Sequence, residues 1–209
     1  MRRFRFTLIA VCLVLLYLGY NDSSLTLRNP EPYAIDLATL IEEGAPREWL
    51  HVTGGRVNLD AAISTSGQVE IKALLIPLVQ HPDDTRFHVL VETRDPALLE
   101  LLHTYHFRFD NVFAQERFRQ EQAHMFHAPR EVTGMLAGGL KGSSNRDKLM
   151  ELAQQVGLDV PDDVIMLSEG KEPPRYRGFF FLAMGLAGLV KAGLMFRTPS
   201  APPTDPMHS

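Results

Sequence analysis

Two apolar runs, one near each end of the chain, constrain its folding more than any other feature. Residues 6–20 read FTLIAVCLVLLYLGY and residues 178–196 read GFFFLAMGLAGLVKAGLMF. At a helical rise of 1.5 Å per residue the first run covers ~22 Å, against a bilayer hydrocarbon core of ~30 Å. Phe4 lengthens it, Tyr17 and Tyr20 suit the interface, and Arg5 can snorkel toward the headgroups. MRRFR precedes it, so the pattern is that of an uncleaved signal anchor. A cleaved signal peptide is the alternative, although Leu18 to Asp22 supply no good small-x-small cleavage site. The second run contains one charge, Lys191, close enough to its end to reach the headgroups. Phe179, Phe180, Phe181, Leu182 and Met184 cover all its sides, leaving no polar face for a soluble surface helix. Ala183 with Ala187 and Gly188 with Ala192 recur at spacing four, with Gly185 and Gly193 beside them. Small residues at that spacing let another helix approach closely, which would permit a homo-oligomer through 178–196.

The arginines place residues 1–5 in the cytoplasm, with 6–20 as a transmembrane helix or signal anchor. Residues 21–177 then form an extracytoplasmic domain, 178–196 a second transmembrane helix, and 197–209 a disordered cytoplasmic tail. Lys171, Arg175 and Arg177 before the second helix oppose this orientation, but a translocated segment this long escapes the charge rule. The expected location is a membrane, the bacterial inner membrane, with 21–177 on its periplasmic side.

Between the apolar runs, residues 21–177 carry 16 Lys+Arg and 24 Asp+Glu, a net charge of −8 from 16 − 24. An acidic balance of that size excludes a nucleic-acid surface. The single cysteine, Cys12, falls inside the first apolar run. Residues 21–177 therefore hold no disulfide, thiol nucleophile or thiolate metal site.

Within this segment Tyr33 to Glu43 has its leucines on one face and Gly44 behind it, which predicts a short helix. A brief strand from Trp49 to Val52 should break at a Thr53-Gly54-Gly55 turn. Val57, Leu59, Ala61 and Ile63 then alternate with Asn58, Asp60 and Ala62, as in a half-buried strand. Ser64 to Gly67 makes a turn, Val69 to Leu75 continues the alternation, and Phe87, Val89 and Val91 follow. Such short connections favour an antiparallel meander. Asp95 caps a helix beginning at Pro96, a polar helix runs from Asn111 to His127, and Val132 to Leu136 forms a strand. Ser144 and Asp147 open another helix, and Val164 to Leu167 form a last strand. The fold class is thus α+β: a small antiparallel sheet or partly closed β-barrel with packed helices, flanked by two transmembrane helices.

Chemistry-bearing residues are few. His103 and His106, and His124 and His127, are pairs at spacing three, so each pair shares a helical face. Antiparallel packing of the two helices would bring all four together, with Glu121 adding an E-x-x-H element. Neutral imidazoles and one carboxylate suit a transition metal, and a membrane-tethered metal-binding protein or hydrolase would use this cluster. Against that stand Arg108, Arg117, Arg119 and Arg130, which repel a cation, and the lack of a second E-x-x-H. Asp83-Asp84, Asp162-Asp163 and Glu42-Glu43 fall in turns or at helix ends, while Asp60 and Glu70 occupy the polar phase of their strands. Ser64 to Gly67 lacks a nucleophile elbow, and Gly138-Gly139 with Lys141 and Gly142 lacks phosphate-loop spacing. No cofactor fingerprint and no catalytic set is present.

A helix near each terminus, a strand-rich middle, and the fragments VTGG (52–55), IPLV (76–79), FHVLVE (87–92) and VTGML (132–136) resemble the surfeit-type cytochrome oxidase assembly proteins. That family's arginine–tryptophan segments are missing, and no residue role is carried over. The two anchors, together with the absence of a recognisable catalytic set, point to a membrane-anchored accessory, scaffold or assembly protein. Its extracytoplasmic domain would bind a membrane or envelope protein beside the lipid bilayer.

Overall fold

The computed structural model describes residues 2–65, 72–137 and 144–197. The expected Val69–Ile71 alternation with Glu70, the turn residues Ser66 and Gly67, the glycine loop with Lys141, and tail residues 198–209 lie outside them. The chain divides into two compact units, one comprising Asn29–Glu172 and the other the terminal stretches on either side of it.

The terminal unit is a pair of helices, α1 (Arg2–Arg28) and α7 (Arg177–Arg197). Stretches of both, Phe6–Arg28 and Arg177–Met195, are long and apolar enough to cross a membrane. Only 22% and 17% of their most apolar windows are buried. Helices at the core of a soluble fold would be largely covered, and these are not. α1 runs eight residues past the expected end at Tyr20, because its polar last turns have partners on α7. Arg177 donates to both carboxylate oxygens of Asp22, at 2.7 and 3.2 Å. Thr26 Oγ1 donates to the Asp22 carbonyl at 3.0 Å. The helices are antiparallel: a side chain at Gly19 would strike Leu182, one at Gly178 would strike Ser23, and one at Gly188 would strike Cys12. Gly185, Gly188 and Ala192 thus face α1 of the same chain, which occupies that face. Ala183 and Ala187 are exposed. Gly185, Gly188 and Ala192 serve an intrachain helix pair, which leaves Ala183 and Ala187 uncovered.

The second unit carries a seven-stranded sheet in the order β1-β2-β6-β7-β5-β4-β3. Its strands are β1 (Tyr33–Asp36), β2 (Trp49–Val57), β3 (Ile63–Ser64), β4 (Leu74–Val79), β5 (Val89–Thr93), β6 (Pro129–Leu136) and β7 (Ile165–Glu169). An added pairing of β2 with β4 closes β2, β6, β7, β5 and β4 into a five-stranded barrel. Most pairs are antiparallel, but β1–β2 and β5–β7 are parallel. The β5–β7 pair has the helical crossover that parallel strands require: α3 (Pro96–Phe107), α4 (Val112–Glu121), α5 (Ala123–Phe126) and α6 (Ser144–Gln155) all lie between them. The sheet is therefore mixed, not purely antiparallel.

Two local expectations change for identifiable reasons. The predicted helix at Tyr33 begins only at Leu37, as α2 (Leu37–Glu43), because Asp36 accepts a hydrogen bond from the Ala38 amide and caps it. Tyr33–Asp36 is then free to pair with β2. The predicted Gly54 turn is instead an irregularity inside a continuous β2, with the register shifting between Val52 and Gly55. Gly54 sits at φ 75°, and a side chain there would collide with Asp36, while one at Gly55 would meet Leu78. The bend lets β2 pair with β6 along most of its length and with β4 at Arg56 and Val57. Past it, Leu59–Ala61 forms a 3-10 turn capped by Asn58, in place of the expected strand.

Leu50, Val52, Leu78, Val89, Val91, Val132 and Leu167, drawn from all five barrel strands, form one buried cluster, so they fill the interior. Leu37 and Leu40 of α2 join it. Leu98 and Leu102 of α3 and Phe126 of α5 pack on Val57, Leu74 and Ile76. Leu149 and Ala153 of α6 cover Leu75, Leu90 and Met166 on the opposite strand face. Because helices cover the second face, every residue of β4 and β5 is buried. Asp95 caps α3 through the Ala97 amide at 2.9 Å, as its sequence predicts.

Candidate functional site

The four histidines and Glu121 do not assemble. Among the described residues, no three His, Cys, Asp or Glu side chains are placed to hold a metal ion. The expected continuous helix from Asn111 to His127 breaks at Gln122, whose φ and ψ of −100° and 13° separate α4 from α5. Glu121 and His124 thereby lose their common face, and both are exposed. His103 and His106 remain on α3, against the ring of Phe107. His106 borders apolar side chains, and this desolvation lowers its pKa below 6.5. His127 turns toward Asp60, with its Nε2 at 3.1 Å from Oδ2.

Asp60, expected to face water, is instead the anchor of α4. Arg119 donates to its two oxygens at 2.7 and 2.9 Å, a fork geometry that fixes orientation as well as distance. The Arg119 hydrogen bond is the main cause holding the Asp60 carboxyl below its ordinary pKa; desolvation opposes it, and the charges of Arg119 and His127 reinforce it. The same pair raises the pKa of Arg119.

A second charged group sits where β5, β6 and β7 run side by side. Arg130 Nη2 donates to Asp95 at 2.7 Å and to Glu169 at 2.9 Å. Burial depresses the Arg130 pKa, but the hydrogen bonds and charges of Asp95 and Glu169 outweigh it and leave it raised. Asp95 is held low, chiefly by its Arg130 hydrogen bond and further by the helix amides of Ala97 and Leu98, against desolvation. Beside it, Ser168 donates to Glu92 at 3.0 Å, and Lys171 donates to Ser168 at 3.1 Å. Ser168 and Glu92 are buried. Arg94 also bonds Glu92, at 3.0 Å. Each acid here has a basic partner, so the arrangement neutralises charge and ties three strands together. The only sequence signal for Glu92 was a carboxylate within the apolar FHVLVE run.

The remaining notable surface lies at the tip joining α3 to α4. Val112 and Phe113, at the start of α4, are 76% and 88% exposed, and Phe107 at the end of α3 is 54% exposed. Asn111 caps α4 through the Ala114 amide at 2.8 Å, and Phe109 packs on Phe118 at 5.2 Å between ring centres. These contacts fix the turn while leaving the three apolar side chains outside the core. Nearby, Leu74, Leu102, Leu152 and Val156 line an open apolar cleft of about 600 Å³, with His106 and Phe107 at its border.

Comparison with known protein families, with curated proteins and with solved structures finds no match. The likeness to the surfeit-type assembly proteins accordingly rests on layout and four short fragments.

Proposed function

We propose that the chain is a membrane-anchored accessory protein of the scaffold or assembly type. In this reading α1 and α7 cross the bacterial inner membrane, and the barrel unit lies on its periplasmic side and binds a partner membrane or envelope protein. The observation that carries it is the exposure of Phe107, Val112 and Phe113 on a capped, internally braced turn. Large aromatic side chains exposed on a rigid element are typical binding anchors, since their burial by a partner gains apolar area at little entropic cost. The two long apolar helices support the membrane location.

The test is photo-crosslinking in native membranes, with benzoyl-phenylalanine at Phe113 or, as a control, at the exposed helix residue Glu151. The expected result is one discrete protein adduct from position 113, none from 151, and loss of co-isolation of that protein with Phe113→Ser. Adducts to lipid alone, or identical adducts from both positions, would overturn the assignment.

A further inference from the structure

We propose that the open edge of β1 receives an extended, lysine- or arginine-bearing segment of a partner protein as an added strand. β1 stands at one end of the sheet order and, among the described residues, pairs only with β2. A strand bonded on one side points half of its N–H and C=O groups the other way. All four residues of β1 line a cleft of about 280 Å³, together with Thr39 and Glu43 of α2 and then Gly44 and Pro46. An edge strand flanked by a groove is the geometry of strand addition, in which backbone pairing gives affinity and side chains set the preference. Four residues of β1 offer ~13 Å of pairing length, with Pro32 directly before it and Leu37 of α2 directly after it.

Charge selects the occupant. Asp36 and Glu43 are the two carboxylates that line the cleft. Asp36 accepts from the Ala38 amide through one oxygen and remains exposed to solvent. Arg47 lies over the ring of Tyr33 at 5.5 Å and brings a positive charge to this edge. Two carboxylates against one guanidinium favour a basic segment, and the same excess opposes a second copy bringing its own β1. This inference rests on the barrel unit being a partner-binding domain, but not on the α3–α4 tip.

The test uses the full chain in phosphatidylcholine nanodiscs and a fluorescent peptide alternating lysine with valine over six residues. Anisotropy reads affinity, and hydrogen exchange reads the amides of Tyr33–Asp36. The expected result is saturable binding, slowed exchange at those amides of Tyr33–Asp36 that point away from β2, and a loss of about tenfold in affinity with Glu43→Lys. A peptide with glutamate in place of lysine should not bind. Absent binding, unchanged exchange at Tyr33–Asp36, or wild-type affinity in Glu43→Lys would each overturn the proposal. Should Trp49 emission reveal Glu43→Lys to be unfolded, Thr39→Trp, which fills the cleft, decides by the same criteria. If the peptide fails while the adduct at Phe113 persists, only the β1 site falls; if both fail, the partner-binding reading falls with it.

Discussion

Replacing Arg130 with methionine keeps the apolar stem and removes the guanidinium that joins β6 to β7 and to the start of α3. Its side chain is 24% exposed, and those of Asp95 and Glu169 are 28% and 19% exposed. Removing one partner of a fully buried pair costs ~3–5 kcal/mol, because the other charge is left without compensation. Water reaches all three groups here, so the expected loss is about 2 kcal/mol, between the buried figure and the ~0–1 kcal/mol of a surface pair. With a urea slope of ~2 kcal/mol per molar, the midpoint should fall by about 1 M. The one tryptophan, Trp49, is buried on β2, so its emission reports unfolding of the barrel unit in the detergent-solubilised full chain. Arg94→Met is the internal control: Arg94 is well exposed, and its loss should cost under ~1 kcal/mol. The pH dependence follows from Asp95. Its folded pKa lies below its ordinary value, so its contribution is complete above about pH 4 and is lost as pH falls through the folded value. The Arg130 variant should therefore show a smaller loss of stability on acidification than the parent. A midpoint shift below ~0.2 M, or an unchanged acid profile, would refute the view that this charged group holds the barrel end.

Gly54→Val forces a β-branched residue to positive φ and against Asp36, and should destabilise the barrel unit by at least ~2 kcal/mol in the same urea assay. Asp60→Asn removes the acceptor charge that anchors Arg119. Hydrogen exchange across α4 should rise at neutral pH, and the parent should show the same loosening only below about pH 4, because the Asp60 pKa is depressed. Cys12 is buried beside Gly188, so Gly188→Leu, which separates α1 from α7, should speed labelling of Cys12 by N-ethylmaleimide severalfold over the parent in detergent-solubilised full chain. Elemental analysis of the purified chain should give the same transition-metal content for the parent, His103→Ala and His124→Ala; stoichiometric metal lost in both variants would contradict the separation of the histidines.

What could be read from the sequence was mostly local. The two apolar runs, the Asp95–Pro96 start of α3 and the strands at Val89 and Val132 follow from composition, capping and side-chain periodicity. Barrel closure was legible only as one of two alternatives, because it depends on the β2–β4 pairing, which involves just Arg56 and Val57. Tyr33–Asp36 has helical spacing but pairs with β2, a tertiary contact overriding local preference. The histidines and Glu121 do not assemble because the helix breaks at Gln122, between Glu121 and His124, while His127 turns to Asp60 and His103 and His106 lie against Phe107. Asp60 was read as solvent-facing because its partner Arg119 lies 59 residues away. Arg130 likewise meets Glu169 at a separation of 39 residues. No window of local sequence contains either pair.

Labelling with a membrane-impermeant maleimide tests the central claim most directly, using single cysteines at Glu43, Glu151 and Ser209 in a Cys12→Ser background. Intact cells stripped of their outer barrier should label positions 43 and 151 at once, and position 209 only after the bilayer is permeabilised. Equal labelling of all three before permeabilisation, or protection of 43 and 151 together with 209, would contradict a barrel unit held outside the cytoplasm by two crossing helices.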